Sequence, residues 1–317
     1  MPSILRSRSS EVVETATGAR PPLLYKYRDV QKAREVLATR MVWRCSPLLF
    51  NDPFDTCYFW RFPFSLSELG DVLAARIEQF IRCDDMLPAD MPDMLKEQVR
   101  IGRQVRREGG RLSEALLHLR RALAQGMERV AGQLEDYRRA WREDLRTMRV
   151  FCLSEPYDDL LMWAHYADYH RGVVIGFREV PQKNTVLCGD ARAVTYQADL
   201  PALLDTADEW AAHMTGEAPM DMDAAFLRMA FTKSDHWRYE KEWRWWDRAK
   251  PGMEGLAEPI RVDAEDFATV YLGCRITPED RDAIVRIVRE QLPDVTLYEA
   301  RQSDKRFGLD FEMLPRS

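Results

Sequence analysis

Residues 233–246 read K-S-D-H-W-R-Y-E-K-E-W-R-W-W, and no other stretch restricts the possible folds as much. Successive side chains of a β-strand point to opposite faces. Taken as a strand, the run places Trp237, Tyr239, Lys241, Trp243 and Trp245 on one face and Arg238, Glu240, Glu242, Arg244 and Trp246 on the other. It is rich in Trp and Tyr and lacks Gly and Pro, which favours period two over 3.6. The predicted strand packs indoles into a core and presents two carboxylates, flanked by guanidinium groups, to a cleft or to solvent.

The rest of the chain supplies partners for such a strand. It has 317 residues, 46% hydrophobic and 31% charged, enough for a sizeable core in one large domain or two. Residues 1–21 are polar, without periodicity, and read as a flexible leader. Strands are expected over 23–28, 41–45, 150–154, 173–177, 193–196, 269–274, 295–298 and 307–311. Helices are expected over 30–39, 160–169, 202–213, 222–231 and 278–292. The helix over 160–169 should end on Gly172 as a left-handed cap, and Thr277-Pro278-Glu279-Asp280 opens the last helix with a cap, a proline at its first position and an acidic first turn.

From 65 to 148 the character is helical and charged. Ser65 with Glu68 forms a capping box. Ser113 is a candidate cap for a long helix whose apolar residues, from Leu116 through Leu123, Met127 and Trp141 to Met148, step by three and four. The class is therefore α+β. A core over 22–64 and 149–317 carries a mixed, mainly antiparallel sheet, interrupted by a helical insertion over 65–148.

Composition excludes some functions. No apolar run reaches the roughly 18 residues that cross a bilayer, and no signal-peptide core stands near Met1, so a cytoplasmic location without membrane contact is expected. The net charge of −6 argues against a surface coated for duplex nucleic acid, although a local basic patch stays open. The six cysteines contain no C-x-x-C pair and are expected to be reduced and mostly buried. No metal is expected, since His165 and His170 are five residues apart and no cysteine lies near them.

Three constellations carry chemistry. His165, Asp168 and Tyr169 at i, i+3 and i+4 share a face of the predicted helix. They form either a His-Asp pair facing a pocket or a partly buried histidine satisfied by its neighbour. Glu240 and Glu242 are either site carboxylates or part of a cross-strand lattice of ion pairs. Burial would raise their pKa values, whereas Arg238 and Arg244 would lower them. Asp52, Asp55 and Glu242 would be the acids of a metal-dependent nuclease, without a recognised metal spacing.

The chain is similar to domain of unknown function 2971, a bacterial family. The matching motifs are L-Y-K-Y-R at 24–28, F-N-D-P-F-D at 50–55, F-C-L-S at 151–154, M-W-A-H-Y-A-D-Y-H-R-G-V at 162–173 and W-R-Y-E-K-E-W-R at 237–244. L-G-C-R-I-T at 272–277 matches more weakly. More distantly, the order of an early Leu-Tyr-x strand, a Phe-x-x-Ser strand and a late Glu-x-Glu strand resembles the ADP-ribosyltransferases, whose split sheet surrounds an NAD cleft. That resemblance implies NAD as cofactor and an ADP-ribosyl transfer to a macromolecular target, in a toxin or phage-defence effector. It aligns Lys26 with a position usually held by His or Arg, Ser154 with the middle motif, and Glu242 with the catalytic glutamate, preceded by Glu240. His165 joins these as a candidate catalytic residue. Tyr25, Tyr27 or Trp163 would stack on nicotinamide, Lys26, Arg28 and Arg244 would hold the pyrophosphate, and Asn51 and Tyr166 complete the implied binding set. The alternative is a non-catalytic module in which Trp163, His165, Tyr166 and Arg244 line a recognition pocket and the helical insertion docks a partner protein.

Overall fold

The structure, a computed structural model, describes residues 21–56, 61–178 and 191–316, with the side chains of 129–135 and 137 left out. The expected leader lies outside the described residues. The chain divides into two compact units, one of residues 61–144 and 200–230 and the other of 21–56, 145–178, 191–199 and 231–316.

The helical unit contains α2 (Leu66–Arg82), α3 (Asp93–Arg107), most of α4 (Leu112–Thr147), α6 (Ala207–Met214) and α7 (Met222–Ala230). Ser65 caps α2 by accepting from Glu68 N, as its position before the apolar stripe suggests. Helix α4 starts at Leu112, so Ser113 lies inside its first turn rather than at its cap. Leu69, Leu73 and Ile77 of α2 pack with Val99 of α3 and Ala207 and Ala211 of α6. Arg76 reaches Asp208 at 2.6 Å and Glu217 at 2.8 Å, and Trp141 of α4 meets Phe226 of α7 edge-on. Residues 200–230 thus belong with the helices, not with the core to which their place in the sequence assigned them.

The second unit is α+β with one mainly antiparallel open sheet. Its strands are β1 (Leu23–Arg28), β2 (Met41–Cys45), β3 (Met148–Ser154), β4 (Val173–Arg178), β5 (Arg192–Ala193), β8 (Glu242–Arg248), β9 (Ala257–Arg261), β10 (Phe267–Leu272), β11 (Thr296–Gln302) and β12 (Leu309–Met313). The main order is β12-β11-β10-β4-β1-β3-β2-β9, with β8 and β5 branching from β3. Strands β6 (Thr195–Gln197) and β7 (Thr232–Ser234) form a separate parallel pair. Among the described residues of the sheet only β10 and β11 run parallel. They are joined through α8 (Pro278–Gln291), the kind of crossover a parallel pair requires.

Alternation along the strands sorts the two cores. Leu24, Ile175, Phe177, Val270 and Leu272 face α8 and α1 (Val30–Thr39). Tyr25, Tyr27, Val174 and Tyr271 point to the other side, towards α5 (Leu160–Tyr166). Strand β4, V-V-I-G-F-R, is buried on both sides and reads accordingly as a continuous apolar run. Helix α8 starts as its sequence indicates, with the Thr277 hydroxyl accepting from Asp280 N and Pro278 in the first turn. Burial of Ile284, Val285 and Val288 contributes roughly 1.5–3 kcal/mol each.

Strand β3 is where the sheet forks. One of its edges pairs with β8 from Met148 to Ser154, so β1 and β2 must share the other edge. Strand β2 meets it at Val150 and β1 at Ser154, and between these points the two strands part. Helix α5 is shorter than the sequence suggests. It ends at Tyr166, and Asp168, Tyr169 and His170 take φ values of 44°, 52° and 68°. Gly172 is not the left-handed cap. A Cβ there would lie 2.2 Å from the Arg28 carbonyl oxygen, so glycine is needed because the turn presses against the end of β1.

Candidate functional site

The fork places two cations on one strand face. Lys26 and Arg28 are two residues apart on β1 and both half-buried. The Lys26 ammonium donates to the Cys152 carbonyl, at the point on β3 between its β2 and β1 partners, and lies 5.0 Å from the centre of the Phe151 ring. The guanidinium of Arg28 has no hydrogen-bond or ion-pair partner among the described residues. Burial, reinforced by Arg28, pushes the Lys26 ammonium down to about 8, and burial likewise lowers Arg28. Both residues line a cavity of about 570 Å³ whose walls also carry Tyr25, Tyr27, Trp43, Phe50 and Trp237.

The acidic side of the cavity comes from the stretch expected to be one strand, and there the expectation fails. Residues Asp235–Glu240 form a 3₁₀ helix capped by Ser234, whose hydroxyl accepts from His236 N. Lys241 is left-handed at φ 41°, and the strand begins only at Glu242. Alternation holds within β8 alone, where Trp245 is buried with the core and Glu242 and Arg244 face the other way. The turn does what an extended chain would not: it brings both glutamates onto one ammonium. Lys233 Nζ lies 2.6 Å from Glu240 Oε2, 3.0 Å from Glu242 Oε2 and 3.5 Å from Asp55 Oδ2. Arg244 clamps Glu242 Oε1 through Nε at 2.7 Å and Asp55 Oδ2 through Nη2 at 2.6 Å. All five side chains are buried. Asp55 Oδ1 is also buried and has no hydrogen-bond partner among the described residues.

The environments drive these acids apart. Burial would raise Glu242, but Arg244 and Lys233 outweigh it and hold the carboxyl well below the usual range. For Glu240 burial wins over Lys233 and the carboxyl is raised. Asp55 is raised too, burial outweighing Arg244. Burial would lower Lys233, but the three carboxylates hold it above its ordinary value. Tyr166 donates to Glu240 Oε1 at 2.7 Å and accepts from Asn51 Nδ2 at 3.3 Å. Burial and then Glu240 raise its phenol.

The cavity brings together Lys26, Ser154, His165 and Glu242, with Tyr25, Tyr27, Arg28, Asn51, Tyr166 and Glu240, although these residues are scattered along the chain. Ser154 is fixed because it is the Cα partner of Tyr25 on one edge of β3 and of Glu242 on the other. His165 is exposed, with Nδ1 3.0 Å from the Tyr239 hydroxyl. It shares no helical face with Asp168 and Tyr169, because α5 ends first, and Asp168 lies 3.9 Å from Arg171. Two expected ligand contacts fail. Trp163 is fully buried, edge-on to Tyr27, its indole N–H donating to the Tyr157 carbonyl at 2.9 Å. Arg244 is fully buried behind Glu242 and Asp55. The nuclease arrangement is absent as well. Asp52 accepts from Phe54 N in its own turn, while Asp55 and Glu242 are held by Lys233 and Arg244. Among the described residues no group of three or more His, Cys, Asp or Glu is placed to hold a metal ion. Cys45, Cys83, Cys152 and Cys274 are unbridged and half-buried.

Sequence reasoning missed Lys233, the hub, and read Asp55 only as a metal ligand. The available signal was arithmetic: Asp55, Glu240 and Glu242 need more cations than Arg244 alone if they are buried together.

Residues 162–245 match the model of a family described as Protein of unknown function (DUF2971). That stretch carries α5, its left-handed turn, Lys233 and both glutamates. No curated protein and no solved structure matches the chain, and the likeness to ADP-ribosyltransferases finds no counterpart in these comparisons. No helix among the described residues is long and apolar enough to cross a membrane.

Proposed function

We propose that the cavity is a catalytic pocket for ADP-ribosyl transfer from NAD to a macromolecular target. The observation that carries this reading is the glutamate pair: two carboxyls joined through Lys233, one held ionised and the other pushed upward. Environments that separate two carboxyls in this way mark a division of acid–base roles. The residues also suit the cofactor. A volume of about 570 Å³ falls in the small-ligand range, and the cations Lys26 and Arg28, which form no ion pair among the described residues, suit a diphosphate. Tyr25, Tyr27 and Trp237 offer aromatic wall, and Asp55 Oδ1 is a buried acceptor awaiting a donor.

The chemistry brought by the bound dinucleotide is a C–N bond to a ring already positively charged, which departs without being protonated. Glu242, kept anionic by Arg244 and Lys233, places fixed negative charge at the wall where positive charge develops. Glu240 is the carboxyl suited to take a proton from the acceptor nucleophile. His165, exposed beside Tyr239, stands where a large acceptor can approach.

A second reading, ligand binding without chemistry, is favoured by one observation. Both oxygens of Glu242 are already bonded, Oε1 to Arg244 and Oε2 to Lys233 and Arg244. Incubation of the full chain with NAD and cell lysate, following nicotinamide release and label transfer, separates the two. Release by wild type and its loss in Glu242→Gln supports the enzyme. NAD binding with equal silence in both supports the binding module.

A further inference from the structure

We propose that Lys26 is an amine nucleophile that condenses with an aldehyde or ketone whose anionic group is held by Arg28. This goes beyond the transfer reading and does not require it.

The starting observation is where Lys26 finds its partners. Lys26 is half-buried with its ammonium desolvated, and a desolvated lysine usually pairs with a carboxylate. Three carboxylates line this cavity, yet Lys233 and Arg244 take all of them, and Lys26 forms an ion pair with none. Among the described residues its only hydrogen-bond partner is the Cys152 carbonyl at the fork, and the amine lines the cavity. Its neighbour on the same strand face is the unpartnered guanidinium of Arg28. Desolvation and an adjacent cation are the two devices that activate a lysine for attack on a carbonyl. Both leave part of the Lys26 population uncharged, which binding an anion alone does not require.

The groups facing Lys26 are Arg28 on β1, Cys45 on β2, Cys152 on β3 and Glu242 on β8. Burial lowers its ammonium, as does Arg28, while Cys152, Cys45 and Glu242 oppose that shift without reversing it. Burial raises both thiols, so neither competes as a thiolate. With the ammonium pushed down to about 8, roughly a tenth is neutral at pH 7.

The step balances without an oxidant or reductant. The Nζ lone pair forms a C–N bond to the carbonyl carbon, and the carbonyl oxygen becomes a hydroxyl. That oxygen then leaves as water with the two protons of the neutral amine, giving an imine. Arg28 restricts the partner to carbonyl compounds that also carry a phosphate or carboxylate.

The test uses the full chain, pyridoxal 5′-phosphate as probe, borohydride reduction and peptide mass spectrometry. Lys26 is expected to be modified ahead of exposed lysines such as Lys32 and Lys250, at a rate that rises steeply as pH approaches 8. Pyridoxal, which lacks the phosphate, should label Lys26 about tenfold more slowly, the worth of one charge-assisted hydrogen bond to Arg28. Lys26→Arg should keep the fold by circular dichroism and lose the adduct. An unmodified Lys26, or one labelled no faster than Lys32, overturns the proposal. Equal labelling by the two probes removes the role given to Arg28. Neither result depends on whether NAD is a substrate.

Discussion

Lys233 Nζ sits 2.6 Å from Glu240 Oε2 with both side chains about 5% exposed, and the same nitrogen serves Glu242 and Asp55. Five buried charges, three negative and two positive, leave one negative charge unmatched. A cluster of this kind costs desolvation on assembly, and removing one member uncovers the others. Its members therefore differ in what their loss should do.

Glu242→Gln removes the carboxylate that two cations hold ionised. It should lower stability by about 3–5 kcal/mol. Glu240→Gln removes a carboxyl for which burial outweighs Lys233 and which Arg244 does not hold, and should cost less, about 1–3 kcal/mol. Urea denaturation of the two variants at pH 7 checks the contrast. Equal losses would mean that the two acids are equivalent.

Lys233→Met takes from the acids the cation that touches all three. The sign of its pH dependence follows from the remaining carboxyls. An acid whose folded pKa is raised binds its proton more tightly in the native state, so stability is present at low pH and lost as pH rises through the folded value. Asp55 and Glu240 already lie in that direction, and loss of Lys233 moves all three further. The variant should be more stable at pH 5 than at pH 7, measured as urea midpoints. Wild type should show a weaker trend, because Lys233 holds Asp55 and Glu240 lower than they would otherwise lie. The contribution of Glu242 is constant between pH 5 and pH 7 and is lost only as pH falls from the ordinary carboxylate range through its lowered value.

Lys26 should burden the fold at neutral pH. Its folded value, about 8, lies below the ordinary 10.5, so the unfolded chain binds the proton more tightly. The cost is complete below about 8 and is relieved as pH rises towards 10.5. The stability difference between wild type and Lys26→Met should therefore shift in favour of wild type by about 1–3 kcal/mol from pH 7 to pH 10, after discounting for partial exposure. A difference that does not change with pH would show that the ammonium is not desolvated.

Gly172→Ala would drive a methyl group to 2.2 Å from the Arg28 carbonyl oxygen and 2.9 Å from the Ala167 backbone. Backbone atoms cannot swing aside, so the cost should exceed about 2 kcal/mol. Thermal unfolding would register it. Because the displaced carbonyl belongs to Arg28, modification of Lys26 by pyridoxal 5′-phosphate should slow as well.

The local elements were legible where the signals are local. The alternating cores of β1 and β4, the Ser65 cap and the Thr277-Pro278 start of α8 follow from propensity, period and capping chemistry. The active-looking glutamates were singled out although their geometry was misread. A 3₁₀ turn closed by a left-handed lysine has no periodic signature, and Lys241 at φ 41° is a conformation that sequence alone assigns to glycine or asparagine. The gathering of Lys26, Ser154, His165 and Glu242 depends on strand register across more than a hundred residues, which no local pattern encodes. Trp163 and Arg244 were taken for ligand contacts because rare and charged residues cluster there. The core claimed the indole, and the buried acids claimed the guanidinium.

The parting of β1 and β2 along one edge of β3 ties two inheritances together. Position 26 both closes a gap in the backbone pairing and supplies the chemistry of the wall. Any replacement there alters architecture and reactivity in one step, which leaves that position little freedom to drift. Changes of ligand preference among chains that share this sheet should accumulate at Asn51 and Trp237 instead, wall residues that stand outside the strands and can vary without loosening the pairing beneath them.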